Sequence, residues 1–366
     1  MSAMSDRAQA NPTNSNSLSQ TPGPASSAPV RVAVVGAGYW GINHVRSFAR
    51  LPGCELVAVC EPDEKSRKRA ADLAPGARLM DDYDALLRDP SIEAVVLATP
   101  AILHASQASA ALSAGKHVLC EKPMALTTAD ATALCEQAER SGRVFLVGHL
   151  MLYHAAVLRL RQMIQAGDIG DVYYLYGLRV NLGRLRTDEN AMWSLGPHDV
   201  SMILYLLDQM PVTVAARGQS YLQPGIEDVV FVNLAFGDGK MAHIQVSWLD
   251  PRKERRLTVV GSQRMVEFDD AHPNEKLRIY DKGFGYKNGR PPEFTQYGEY
   301  LTVRQGDIHI PHIDLPEPLA VECRHFIDCI RSGTPPRTGA REGLRVVQVL
   351  AAAQRSLAQQ GAPVAV

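Results

Sequence analysis

The 366-residue sequence has no stretch of about 20 consecutive apolar residues, which excludes an ordinary transmembrane helix, and no membrane partner is expected. An excess of one charge is missing as well. With 38 Lys+Arg against 39 Asp+Glu the net charge is -1, so a nucleic-acid partner held through its phosphates is not expected. Cysteine is sparse, and Cys54, Cys60, Cys120, Cys135, Cys323 and Cys329 form no CxxC pair. That spacing offers no zinc ligand set, and no metal site is expected. Sitting in apolar runs such as ELVAVC, these residues read as buried thiols of a reducing compartment. Apolar residues make up 46% and charged residues 21%, near the globular average, so neither a disordered nor a fibrous chain is indicated. The length suggests two domains.

Residues 1–29 are rich in Ser, Asn, Pro, Gln and Ala and cannot bury enough apolar area to offset chain ordering, so a disordered leader is expected there. It holds neither a continuous apolar segment nor a twin-arginine pair, so it does not read as a secretory signal, and the expected location is the cytoplasm.

Structured sequence starts at Val30. VRVAVV (30–35) is a β-branched run that reads as a buried strand, and it leads through Gly36-Ala37-Gly38-Tyr39-Trp40-Gly41 into a helical pattern, INHVRSFARL. Further strands are expected at 54–60, near ARLM, and at 93–100, 117–123 and 144–149, with helical stretches between them. Strands alternating with helices of that length imply βαβ units and a doubly wound parallel sheet over 30–148.

The Gly36–Gly41 segment is a GxGxxG sequence that follows a strand, opens a helix and has an acid at the end of the next strand. Gly36 permits the tight turn, Gly38 lets backbone approach a pyrophosphate, and Gly41 lets helix and strand pack closely, with the helix N-terminus toward the phosphates. Glu61 lies 20 residues after Gly41, where a carboxylate accepts from ribose hydroxyls and repels a 2′-phosphate. No Arg follows at once, so NAD is expected in preference to NADP, although Arg67 and Lys68 stand a helical turn further on.

Glu121-Lys122-Pro123 ends the expected fifth strand, and open parallel sheets bind ligands at the carboxyl ends of their strands. A Lys at an apolar strand end is often only a snorkelling side chain. Its place beside the cofactor edge makes Lys122 a catalytic candidate, and Pro123 holds it extended.

After His149 the pattern changes. A helix and an alternating strand, DVYYLYGLRVN, precede an Arg- and Asn-rich segment and a helix expected to start near Pro197. Successive strands joined by short turns follow, among them a tight hairpin at 236–240, and two helices end the chain. Residues 149–366 thus read as an α+β substrate-binding and oligomerisation domain built on a large open-faced, mostly antiparallel sheet. The last helix is expected to pack back on the first domain. The open face points to a homodimer or homotetramer.

His198, between Pro197 and Asp199, is the second catalytic candidate; the competing reading is a core or capping histidine. Arg184 and Arg186 suit bidentate contact with phosphate or carboxylate, against a solvated loop. Tyr153 and Asn181 are open between substrate contact and core or turn roles.

These residues together resemble the Gfo/Idh/MocA family of nicotinamide-dependent sugar oxidoreductases. The resemblance rests on VAVVGAGYWG, ATPAILH (98–104), EKP (121–123) and PHD (197–199), and it covers the chain from about Val30 onward. It implies an N-terminal Rossmann domain and an open-faced sheet used in subunit contacts. It also implies that Lys122 and His198 line the active site and that Thr99, Pro100, His104 and Glu121 lie along the cofactor, where Tyr39 and Trp40 of the glycine loop are candidates as well. Many members carry Asp four residues before the His, where this sequence has Ser194. The departure fits a branch acting on nucleotide sugars, and the stretch from Asn181 to Ser201 resembles enzymes that oxidise carbon 3 of UDP-N-acetylglucosamine or its uronic acid. The alternatives are an inositol or free-sugar dehydrogenase, a keto-sugar reductase, and a non-catalytic NAD-binding regulator, which would need neither Lys122 nor His198.

Overall fold

The computed structural model describes residues 28–183, 185–286 and 301–366. The leader expectation for 1–29 falls almost wholly outside them, and so does Arg184.

Six strands, β1 (Val30–Val35), β2 (Cys54–Cys60), β3 (Arg78–Met80), β4 (Ala94–Leu97), β5 (His117–Glu121) and β6 (Phe145–Gly148), form a parallel sheet in the order β3-β2-β1-β4-β5-β6. Between them run α1 (Gly41–Arg50), α2 (Glu64–Leu73), α3 (Tyr83–Arg88), α4 (Ala101–Ser113) and α5 (Thr128–Ser141). β1, β4 and β6 are buried on both faces, as their apolar runs require, whereas β3 at the sheet edge is largely exposed. Val32 and Val34 face one layer with Phe48, while Ala33 and Val35 face the other with Leu112 and Leu134. Strand order reverses between β1 and β4, so a crevice opens outside their carboxyl ends. The strands at 93–100 and 117–123 end earlier than expected. Thr99 and Lys122 therefore stand just beyond the sheet at this edge.

The second half comprises α6 (Ala155–Gln165), β7 (Val172–Leu182), α7 (Ala191–Leu207), β8 (Thr213–Gln219), β9 (Val229–Ala235), β10 (Met241–Ser247), β11 (Leu249–Gly261), β12 (Met265–Asp269), β13 (Leu277–Tyr280), β14 (Gly283–Tyr286), β15 (Leu301–Arg304), β16 (Ile308–His309), α8 (Pro318–Ser332), α9 (Ala340–Ala358) and β17 (Val364–Ala365). Nine strands make one sheet, β16-β13-β12-β11-β7-β10-β9-β8-β17, and β14 and β15 pair separately. The β9–β10 hairpin closes as expected, with the Phe236 amide donating to the Lys240 carbonyl at 3.0 Å. One pairing departs from the antiparallel expectation. β7 and β10 are parallel, because α7 carries the chain across the sheet before the β8–β10 meander returns beside β7.

The inner face of β7 carries Leu175, Gly177 and Arg179 toward the helices; Tyr174 and Tyr176 are exposed on the outer face, their rings stacked at 6.3 Å. α8 packs against the first sheet, where Leu319, Cys323 and Phe326 join Val32, Val34 and Phe48.

The helix expected near Pro197 begins six residues earlier, at Ala191, and Pro197 lies inside it. Proline at a helix start is the commoner arrangement, but here Asn190 supplies the cap, its Oδ1 accepting from the Trp193 amide at 3.1 Å. All six cysteines are free thiols, and all but Cys54 are buried. No helix among the described residues is long and apolar enough to cross a membrane.

Candidate active site

The glycine loop folds tightly at the end of β1. Gly36 has φ +87°, and its amide donates to the Cys60 carbonyl at 2.8 Å. A Cβ there would stand 2.7 Å from the Ala98 carbonyl oxygen, and one on Gly41 would collide with the Gly36 carbonyl. Gly38 has no atom within 4 Å of a would-be Cβ, so its backbone is approachable. α1 starts with no side-chain cap and no acid in its first turn, which leaves its N–H groups and dipole facing the loop. Tyr39 and Trp40 form the exposed lip of this loop.

Glu61, at the end of β2, lies under the loop. Its Oε2 accepts from the Ala37 amide at 2.6 Å and its Oε1 from the Asp63 amide at 2.9 Å. The two cations that cloud the NAD preference are already engaged. Arg67 donates to the Glu61 and Pro62 carbonyls at 2.6 and 2.9 Å, and Lys68 pairs with Glu64 at 2.8 Å. Arg69, which the sequence reading missed, donates to the Ala37 and Gly38 carbonyls at 3.4 Å; its helical spacing from Glu61 gave no signal. An approachable Gly38, an uncapped helix start and a carboxylate at the second strand fit NAD.

His104 bridges the ends of β4 and β5. Its Nδ1 is 2.7 Å from the Pro123 carbonyl and its Nε2 2.9 Å from the Thr99 carbonyl, with Pro100 at the start of the same helix. Thr99 Oγ1 donates to Gln107 at 2.6 Å. Glu121 gathers the lip onto the sheet: its Oε1 accepts from Trp40 Nε1 at 2.5 Å and meets His44 Nε2 at 2.7 Å. Burial pushes the Glu121 carboxyl up, but His44 and Trp40 hold it below the ordinary value.

Lys122 and His198 come from different halves of the chain, and Lys122 reaches across to α7, the helix that carries His198. Lys122 Nζ donates to the Ser194 carbonyl at 2.9 Å, one helical turn before His198. The backbone of Ser194 thus anchors the ammonium. Burial pulls the Lys122 pKa down, opposed by Glu189 and Glu121 and aided by Arg186 and Arg179. His198 is half-buried, and its Nδ1 is enclosed without a partner among the described residues. Burial, with the Lys122 and Arg179 charges nearby, holds its pKa well below 6.5, so the imidazole is neutral at neutral pH. Lys122–Pro123 is a cis peptide bond.

A buried ion pair fixes α7 on the sheet. Arg179 Nε and Nη2 donate to the two Asp199 carboxylate oxygens at 2.5 and 3.4 Å, both side chains being fully enclosed. Neither residue was singled out from the sequence, although Asp199 adjoins His198. Asn181 follows Arg179 on the same face of β7 and is half-buried. Arg186 is exposed, within 3.5 Å of Glu189.

Tyr153, open between substrate contact and core, has the surroundings of a core residue: it is 1% exposed, its hydroxyl is 2.9 Å from Thr338 Oγ1 and its ring packs against His325. His149, four residues earlier, is the residue the sequence undervalued: it follows β6 and is buried, and neither ring nitrogen has a partner among the described residues. Burial lowers its pKa to about 4.

A doubly wound sheet with an open glycine cradle, and an ammonium docked one helical turn from a neutral imidazole, defines an NAD-dependent oxidoreductase. The chain belongs to the Gfo/Idh/MocA family: residues 30–149 match its oxidoreductase domain, described as an NAD-binding Rossmann fold, and residues 157–267 match its C-terminal domain. The UDP-N-acetylglucosamine 3-dehydrogenase of Acidithiobacillus ferrooxidans is 29% identical over 320 residues, 87% of this chain and 94% of that protein. A solved structure of that enzyme superposes with a TM-score of 0.76 at 26% identity, covering 90% of this chain and 98% of the other. The scyllo-inositol 2-dehydrogenase (NAD(+)) of Bacillus subtilis is 24% identical over 319 residues, 84% of this chain and 88% of that protein.

Proposed function

We propose that the protein is an NAD-dependent dehydrogenase that oxidises the 3-hydroxyl of a UDP-N-acetylhexosamine or of its uronate. The observation that supports the reading is the Lys122–Ser194 contact, which brings the ammonium to the helix that carries His198, one turn away from it. In this reading residues 30–148 hold the cofactor. Residues 149–366 hold the substrate and, through the exposed Tyr174 and Tyr176 face, a second copy of the chain. The nucleotide-sugar assignment draws on the Acidithiobacillus relative and on Arg186, whose charge acts on Lys122 and suits a diphosphate or uronate. Asn181, and Arg184 from outside the described residues, are proposed for the same substrate-binding role.

NAD, when bound, supplies the hydride acceptor. His198 takes the hydroxyl proton. Its Nδ1 is enclosed, so Nε2 is the accepting nitrogen, and the neutral ring is already in its basic form. Lys122 donates a hydrogen bond to the same oxygen and stabilises its developing negative charge. Glu61 holds the adenosine ribose.

Incubating the enzyme and NAD with UDP-N-acetylglucosamine, its uronate, scyllo-inositol and free hexoses, and following NADH absorbance, tests the substrate class. Turnover of the nucleotide sugars alone is expected; turnover confined to polyols or free hexoses would overturn the assignment. Glu61→Ala is expected to weaken NAD binding about tenfold and to narrow the preference over NADP, since a carboxylate that accepts from the ribose and repels a 2′-phosphate is gone. Unchanged NAD and NADP dissociation constants would remove Glu61 from cofactor selection.

A further inference from the structure

Behind the catalytic face of α7 lies a cavity of about 180 Å³ that the proposed reaction does not use. It is enclosed by α6, α7, α9 and the turn after β6, and Arg161, Arg337, Arg345, Ser201 and His149 line it. From this geometry we infer a binding site for one compact oxyanion, a phosphate or a short carboxylate.

The lining is built for such a group. Arg345 is half-buried and makes no ion pair or hydrogen bond with any described residue, so its whole guanidinium fork is available. Arg337 donates to the Leu152 carbonyl at 3.1 Å and lies over the Tyr153 ring, which fixes its plane and leaves further N–H groups to offer. Arg161 is held over the Tyr205 ring at 4.4 Å. Fixed guanidinium planes suit bidentate oxyanion contact.

The two acids in the lining do not cancel these charges. Asp208 caps the far end of α7, has its side chain 72% exposed and lies 3.6 Å from Arg161. Glu342 sits in the first turn of α9, folded back against Gly339, where the helix N-terminus draws its charge. The independent observation is His149: a buried imidazole with no partner among the described residues on either nitrogen, lining this same cavity, has one N–H to give and needs an acceptor. Size decides the ligand class. Pockets for drug-sized molecules run to roughly 300–1,000 Å³, so this one suits a single small anion and not a nucleotide. Ser201, which lines the cavity, also donates its hydroxyl to the His198 carbonyl at 2.9 Å, so the site adjoins the catalytic helix directly.

Titration calorimetry on the NAD-saturated protein, in which the glycine loop is filled, tests the inference with inorganic phosphate in one arm and malonate in the other. Saturable one-to-one binding of at least one anion is expected, with a matching rise in Tm. Arg345→Gln is expected to weaken it at least about tenfold, because it removes a charged donor and leaves NAD affinity untouched. Arg161→Gln is the second variant should the first fold poorly. Phosphate alone, or malonate alone, identifies the anion. Absence of binding in both arms, or equal affinity in the arginine variants, would overturn the site. The measurement involves no sugar substrate, so its outcome is separate from that of the dehydrogenase assay.

Discussion

Replacing His198 by Asn is expected to lower kcat by about 10²–10⁴-fold with NAD affinity unchanged, the range typical of losing a general base. Lys122→Met should cost at least as much, because it removes the donor and the charge that stabilise the developing oxyanion. The wild-type pH profile carries the same assignment. Burial and neighbouring cations hold the His198 pKa well below 6.5, so the basic form persists as pH falls through that value, and the acid limb of kcat/KM lies below pH 6.5. Burial also lowers the Lys122 pKa from 10.5, so the alkaline limb, where the ammonium is lost, begins below that value. His198→Asn should abolish the acid limb and keep the alkaline one. Full turnover in either variant, or an acid limb near 6.5 that survives in His198→Asn, would exclude this division of labour.

The second large effect concerns stability. Arg179→Met would leave the Asp199 carboxylate enclosed without its guanidinium, and breaking a buried pair from one side costs about 3–5 kcal/mol. For a chain of this size that corresponds to a fall in Tm of about 5 °C. The double variant Arg179→Met/Asp199→Leu should recover most of the loss, since no uncompensated charge remains buried. Calorimetry of the three proteins decides the matter: if the single variant melts with the wild type, the pair does not hold α7 in place.

Local chemistry made part of the site legible in advance. The glycine loop could be read because its three glycines answer contacts within a single strand–turn–helix unit, and Glu61 because it ends the next strand of that unit. Lys122 could be read because a parallel sheet exposes its strand ends on one edge. Tyr153 and His149 stand four residues apart in one informative segment, and the sequence singled out only Tyr153. Tyr153 turns into the core against Thr338, and His149 turns toward the cavity. Pro197 misled in a similar way: a residue that commonly opens helices sits inside one here, because Asn190 already caps it.

By itself, then, the chain determined an alternating parallel sheet and a glycine turn between its first strand and helix, and it singled out Glu61, Lys122 and His198 as candidates, because each of these readings depends on residues close together in sequence. Only the tertiary structure decided that the Ser194 carbonyl holds Lys122 against the helix of His198, that Arg179 clamps α7 through Asp199, that β7 and β10 run parallel, and that three arginines line one cavity with His149. Those contacts join residues far apart along the chain, and their partners are backbone carbonyls and buried charges that no local spacing marks.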